Sequence, residues 1–155
     1  MAKESAGLLL YRRKHGTLEF LLVHPGGPLW KNRDAGAWSI PKGEIQADED
    51  PLRAAQRELR EELGFCPEGE FIPLAAIKQK GGKVVRAWAI ETEWDPANLK
   101  SNTFTLPWPP RSGKVQEFPE VDRAAYFDLV SATTKINPAQ VPLLLEVDRK
   151  LAQMK

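Results

Sequence analysis

A single cysteine, Cys66, has no partner for an internal disulfide, so this 155-residue chain must be held together by its core. Histidine is almost as scarce. His15 and His24 have no companion at metal-ligand spacing and read as surface or strand residues. No stretch of about 18 consecutive apolar residues occurs, which removes a transmembrane helix. Nor is there a charge excess: 22 Lys and Arg against 21 Asp and Glu leave a net +1, without the basic footprint of a dedicated nucleic-acid binder. The opening Met-Ala-Lys-Glu-Ser-Ala-Gly holds no apolar run of a secretion signal, so a soluble, cytoplasmic protein is expected. What the chain does have is 42% hydrophobic residues with 28% charged ones, enough for a packed core. One domain over residues 1–155 is the expectation, since a chain of this size buries roughly 70% of its unfolded surface.

Leu8 to Tyr11 and Leu18 to His24 read as strands of a hairpin around the polar Arg12 to Thr17, and Pro25-Gly26-Gly27-Pro28 ends the second. Asp50 is a fitting cap for a helix beginning at Pro51, and Gly64 suits the left-handed position after its end, so a helix is expected over Pro51 to Leu63. Phe71 to Gln79 and Lys83 to Thr92 are strand-like and flank a turn at Lys80-Gly81-Gly82. Five prolines between Asp95 and Pro119 argue against regular structure over most of that span and for a long functional loop. Ala124 to Leu129 is a candidate last strand. Asn137-Pro138 opens a C-terminal helix with an apolar stripe of Val141, Leu144, Leu145 and Leu151.

On the Pro51 to Leu63 helix, Leu52, Ala55, Leu59 and Leu63 fall on one arc, and Glu58, Glu61 and Glu62 fall together on the next. Three carboxylates at i,i+3 and i,i+4 spacing repel by a few tenths of a kcal/mol per pair. They also crowd the helix C-terminus, where the macrodipole disfavours anions. A divalent cation relieves both penalties, since hard oxygen ligands at this density suit Mg²⁺ or Mn²⁺. The plain alternative is a solvated face on which Arg53, Arg57 and Arg60 pair with the glutamates.

The helix has a longer context. Gly43 is followed after five residues by Glu49, and after seven more by Arg57-Glu58-Leu59-Arg60-Glu61-Glu62-Leu63-Gly64-Phe65. This fills every position of the Nudix box, Gly-x5-Glu-x7-Arg-Glu-U-x-Glu-Glu-x-Gly-U with U apolar. A chance match is expected on the order of once in 10⁹ starting positions, so the chain resembles the Nudix hydrolase family on a highly specific motif. The resemblance implies an α/β fold, an α/β/α sandwich with a mixed sheet. It implies hydrolysis of a phosphoric anhydride with Mg²⁺ or Mn²⁺ as cofactor. It assigns Glu58, Glu61 and Glu62 to metal binding, with a further ligand from the backbone beside Gly43, that of Lys42, and base duty to the same cluster. Glu58 serves equally well as pure ligand or as base, because coupled carboxylates resist individual assignment. Glu49 and Arg57 match the family's structural pair, a bidentate tie of loop to helix. Gly43 and Gly64 match positions where a side chain crowds the backbone or a positive φ is needed. A further catalytic acid often lies shortly before the last strand of such sites. Glu120 is the candidate, with Glu117 as the alternative.

The box does not specify substrate. Trp38 to Gly43 and Lys83 to Ala89 resemble, more loosely, the branch that cleaves dinucleoside polyphosphates such as diadenosine tetraphosphate. Lys42, Lys78, Lys80, Lys83 and Arg86 are candidates to hold a chain of phosphates, and ordinary edge lysines are the bland reading. Phe104, Trp108 and Phe118, and with them Trp30 and Trp38, are candidate base platforms or simple packing residues. The expected partner is a small nucleotide. Nucleoside triphosphates and RNA 5′ ends are the alternative substrates, the near-zero net charge weighing against RNA. A Nudix-fold binding module without turnover is the non-enzymatic alternative, and it would be expected to have lost one of Glu58, Glu61 or Glu62. The sequence leaves the oligomeric state open.

Overall fold

Strand β1 (Glu4–Lys14) is buried without interruption from Ser5 to Tyr11, the signature of a central strand covered on both faces. The computed structural model describes residues 3–154. β1 turns back into β2 (Thr17–Pro25) through His15 and Gly16, both at positive φ as a two-residue hairpin loop requires. Short β3 (Lys42–Glu44) pairs antiparallel with the start of β1, and helix α1 (Pro51–Leu63) follows. Next come β4 (Ile72–Pro73), β5 (Ile77–Lys78) and β6 (Val84–Glu91). A separate ribbon, β7 (Thr103–Pro107) with β8 (Val115–Pro119), precedes β9 (Val121–Asp128), α2 (Leu129–Lys135) and α3 (Val141–Gln153).

The main sheet runs β4-β6-β1-β2-β9, with β3 beside β1 and β5 beside β6. The β1–β6 pair is parallel and the others are antiparallel, so the sheet is mixed, as expected. Ala6, Leu8 and Leu10 face one side with Ala54, Ala55, Leu59 and Leu63 of α1. Leu9, Tyr11, Phe20 and Leu22 face the other with Ala132 of α2 and Leu143, Leu144 and Val147 of α3. This is the α/β/α sandwich. It leaves one edge of α1 free beside β3, which is where the glutamates emerge.

Four expectations are corrected. The Asp95 to Pro119 span is no irregular loop: Pro107 and Pro119 sit at strand ends, Pro109 and Pro110 build the turn, and so the ribbon forms between them. The Phe71 to Gln79 strand is broken into two short pieces, each pairing with β6. α2, whose N-cap Asp128 accepts from the Ser131 N–H at 2.8 Å, was not foreseen. On α3, Leu145 is 49% exposed, and Leu143 and Val147 complete the buried stripe in its place.

Candidate active site

α1 begins and ends where local chemistry dictates. The Asp50 side chain accepts from Arg53 N at 3.2 Å, Pro51 occupies the first turn, and Gly64 closes the helix at φ 91° with its N–H on Arg60 O at 2.9 Å. With Leu59 and Leu63 fixed in the core, Glu58, Glu61 and Glu62 are aimed at the edge next to β3. Glycine at position 43 lets the Glu58 carboxyl group lie against the backbone, because a Cβ there would overlap that carboxyl and displace it. Backbone and carboxylate thus meet in direct contact, which no other residue type allows.

Arg57 organises this edge. Its Nε donates to Glu49 Oε2 at 2.8 Å and its Nη2 to Glu49 Oε1 at 2.9 Å, the expected bidentate tie. Nη2 also donates to Glu44 O at 3.0 Å, and Nη1 to Glu58 Oε1 at 2.9 Å and Glu61 Oε1 at 3.3 Å. The pairing foreseen for a solvated face is therefore present for Arg57, but its fork reaches loop, strand and helix together. The guanidinium holds the Glu49 carboxyl down at about 2, against an ordinary 4.5. A depressed carboxyl contributes stability that is complete above its ordinary value and is lost as pH falls through the folded one. The melting-temperature deficit of Glu49→Gln is accordingly expected to be constant above pH 5 and to shrink between about pH 4.5 and pH 2. A deficit that persists unchanged at pH 2 contradicts the pairing.

Glu58, Glu62 and Glu120 are pushed the other way. Burial raises Glu58, whose side chain is only 13% exposed, against the lowering effect of Arg57. Burial first and the charge of Glu58 second raise Glu62 well above its ordinary range, opposed by Lys42. Burial and then Glu61 raise Glu120. Each of these carboxyls feels the negative charge of another. Glu62 and Glu120 share a cleft of about 190 Å³ with Lys42, Ser39, Ile40 and Val121. Glu117, by contrast, lies exposed on the ribbon opposite Thr105, so Glu120 is the acidic residue brought to the box.

Glu120 is held there by backbone. Its N–H donates to Asn102 O at 2.8 Å and its carbonyl accepts from Gly26 N at 3.0 Å, while Asn102 N donates to Glu61 O at 2.7 Å. Among the described residues, no three His, Cys, Asp or Glu side chains stand together at metal-ligand spacing. The donor set still fits a hard divalent cation. Its oxygens are under mutual repulsion, and Mg²⁺ characteristically takes one or two carboxylates and fills its other positions with water and phosphate oxygens.

The candidate cations divide. Lys42 is half-buried in the cleft wall and its ammonium is depressed, first by burial and then by the positive charge of Lys83. Arg86, on β6, instead donates to Glu4 at the start of the neighbouring β1 at 3.0 Å. Trp108 sits at the far end of the ribbon, with its N–H on Lys114 O at 3.0 Å, and is not among the residues lining the cleft. Trp38 is buried and donates to Asp34 at 2.8 Å, so it is a packing residue and no platform. Phe104 lies against Gly27, fixing the ribbon base to the turn beyond β2.

Two features escaped the sequence reading. His24 is fully buried, with Nδ1 2.8 Å from Asp122 Oδ1 and Nε2 2.7 Å from Arg33 O, so it pins the 30–36 loop to β9. Gln140 is also fully buried and bonds to Ile40 in the cleft wall. The only sequence signal for His24 was a polar residue inside an apolar run. For Gln140 there was none.

A model of the NUDIX domain family matches residues 1–146. Over 68 residues the chain is 37% identical to a bis(5′-nucleosyl)-tetraphosphatase (asymmetrical) of Caenorhabditis elegans, covering 44% of this chain and 45% of the relative. It is 59% identical over 39 residues to an RNA pyrophosphohydrolase of Gluconacetobacter diazotrophicus, covering 25% of this chain and 21% of the relative. The matched stretches thus span less than half the length of these curated relatives. Among solved structures, a C. elegans Ap4A hydrolase binary complex superposes with a TM-score of 0.66 at 25% identity, over 96% of this chain and 98% of that one.

Proposed function

Because the chain belongs to the NUDIX domain family, we propose that it is a metal-dependent hydrolase of a phosphoric anhydride bond in nucleoside polyphosphates, acting on a dinucleoside polyphosphate such as diadenosine tetraphosphate. The observation that carries this reading is the gathering of Glu62, Glu120 and Lys42 on one cleft, with Glu58 seated against Gly43 beside it. The likeness to the C. elegans Ap4A hydrolase over nearly the whole chain supports the choice of substrate.

Glu58, Glu61 and Glu62, with the backbone carbonyl of Lys42, would hold Mg²⁺ or Mn²⁺. The ion would supply neutralisation of phosphate oxygens and would ease deprotonation of the attacking water. Glu120 or Glu58 would take the proton of the attacking water at a carboxylate oxygen, the role a general base of such a site must fill. Lys42, on the cleft with Glu62 and Glu120, would meet the negative charge of a polyphosphate held at the acidic centre, and Lys83 would hold the same chain of phosphates further out. Arg57 and Glu49 keep loop and helix in register and take no part in the chemistry.

Cleavage of a second substrate, 5′-triphosphorylated RNA, draws support from the short match to the RNA pyrophosphohydrolase, and the net charge of +1 weighs against it. Competition kinetics among diadenosine tetraphosphate, ATP, a nucleotide sugar and 5′-triphosphorylated RNA decide the matter. Diadenosine tetraphosphate is expected to have the highest kcat/KM and to yield ATP and AMP. Lys83→Ala is expected to raise its KM more than that of a shorter diphosphate, as for lost binding away from the chemistry. A nucleotide sugar that wins the competition overturns the substrate assignment.

A further inference from the structure

The Gln140 side chain ends a 3-10 turn (Pro138–Gln140) just before α3, and it is fully buried. It meets its full hydrogen-bonding need from segments far apart in sequence. Oε1 accepts from the Ile40 N–H at 3.0 Å, and Nε2 donates to Ser39 Oγ at 3.0 Å and Gln79 Oε1 at 2.8 Å. The fixed backbone donor at Ile40 sets the amide orientation, so the nitrogen faces Gln79 and Gln79 must present its oxygen. A buried polar group satisfied on every side holds its neighbours in one arrangement, since any displacement leaves an unpaired group in the core.

The two segments it joins carry candidate cations, Lys42 on one and Lys80 and Lys83 on the other. Ser39 and Ile40 line the cleft and lead directly into Lys42. Gln79 is the base of the Lys80-Gly81-Gly82 turn: its N–H donates to Lys83 O at 2.8 Å, and its carbonyl accepts from Gly82 N at 3.0 Å. That turn has two glycines at positive φ and is exposed from Lys80 to Gly82. Among the described residues, Gln140–Gln79 is the one side-chain hydrogen bond that ties residues 79–83 to the rest of the protein.

We propose that Gln140 is a positioning residue for polyphosphate binding, which holds the Gln79–Lys83 turn at a fixed distance from the Ser39–Lys42 wall so that Lys42 and Lys83 engage one phosphate chain together. It rests on the reading of Lys42 and Lys83 as phosphate-binding cations. Gln140 bonds to none of the glutamates and stands behind the Ser39–Ile40 wall of the cleft, so its effect is expected in binding.

The test is a double-mutant cycle on the full chain, with Gln79→Ala, Lys83→Ala and the pair, read as KM and kcat for diadenosine tetraphosphate. Gln79→Ala removes the tie and leaves the bond from Ile40 to Gln140 intact. It is expected to raise KM about fivefold with kcat within about twofold, the scale of one lost hydrogen bond. In the pair, KM is expected to be no higher than in Lys83→Ala alone, because Gln79 acts through Lys83. Gly82 amide exchange in Gln79→Ala is expected to accelerate about tenfold, a readout that needs no substrate. Additive KM changes, an unchanged KM, or unchanged Gly82 exchange overturns the proposal. Failure of wild-type protein to cleave diadenosine tetraphosphate overturns the substrate reading instead, and the cycle is then read on the nucleotide that wins the competition.

Discussion

Glu62→Gln is expected to lower turnover by at least about a thousandfold while leaving the melting temperature unchanged or slightly raised. The carboxylate it removes is disfavoured by burial and by the nearby charge of Glu58, so a neutral amide of the same shape relieves the folded chain. Relief of like-charge repulsion on a helix is worth a few tenths of a kcal/mol per pair. A residue retained against the interests of the fold is retained for what it binds. Steady-state kinetics and thermal melting on the same preparation give both readouts. Loss of activity together with a large drop in melting temperature would make Glu62 a structural residue, and unchanged turnover would remove it from the site.

Gly43→Ala is the second large effect. The new methyl must occupy the place of the Glu58 carboxyl group. The obstructed atoms are the end of a flexible side chain, so Glu58 swings aside and the helix need not move. Stability therefore changes little, but a catalytic carboxylate misplaced by about 1 Å costs on the order of a hundredfold in kcat. Activity is expected to fall by at least that factor, with a melting temperature within a few degrees of wild type. Wild-type kinetics in Gly43→Ala would show that Glu58 works from another position.

The acidic half of the site could be read from the chain because its logic is local. Gly43, Glu49, Arg57 and the glutamates fall within one loop and one helix, and the caps at Asp50 and Gly64 mark that helix with no help from the rest of the fold. Glu120 could be guessed only by its place before β9, and its arrival at the cleft depends on backbone bonds to Gly26 and Asn102. The number of prolines in the 95–119 span does not reveal the ribbon, because it is their position that decides whether a strand forms. At strand ends they cost no ladder bond. Arg86 was proposed for the substrate on charge alone, and its partner Glu4 lies far away in sequence. Gln140 had no signal at all, since its partners Ile40 and Gln79 are 100 and 61 residues away. Local chemistry carries the glutamate motif, and pairing between distant strands and turns carries the cleft wall and the turn beside it.

The central claim is that the Glu58, Glu61 and Glu62 face works by holding a divalent cation. The direct measurement is hydrolysis of diadenosine tetraphosphate by wild-type protein in excess EDTA, followed by addition of Mg²⁺ beyond the chelator. Turnover is expected to vanish with EDTA and to return with Mg²⁺, because clustered carboxylates alone repel the phosphates they must activate. Full turnover in excess EDTA contradicts the account.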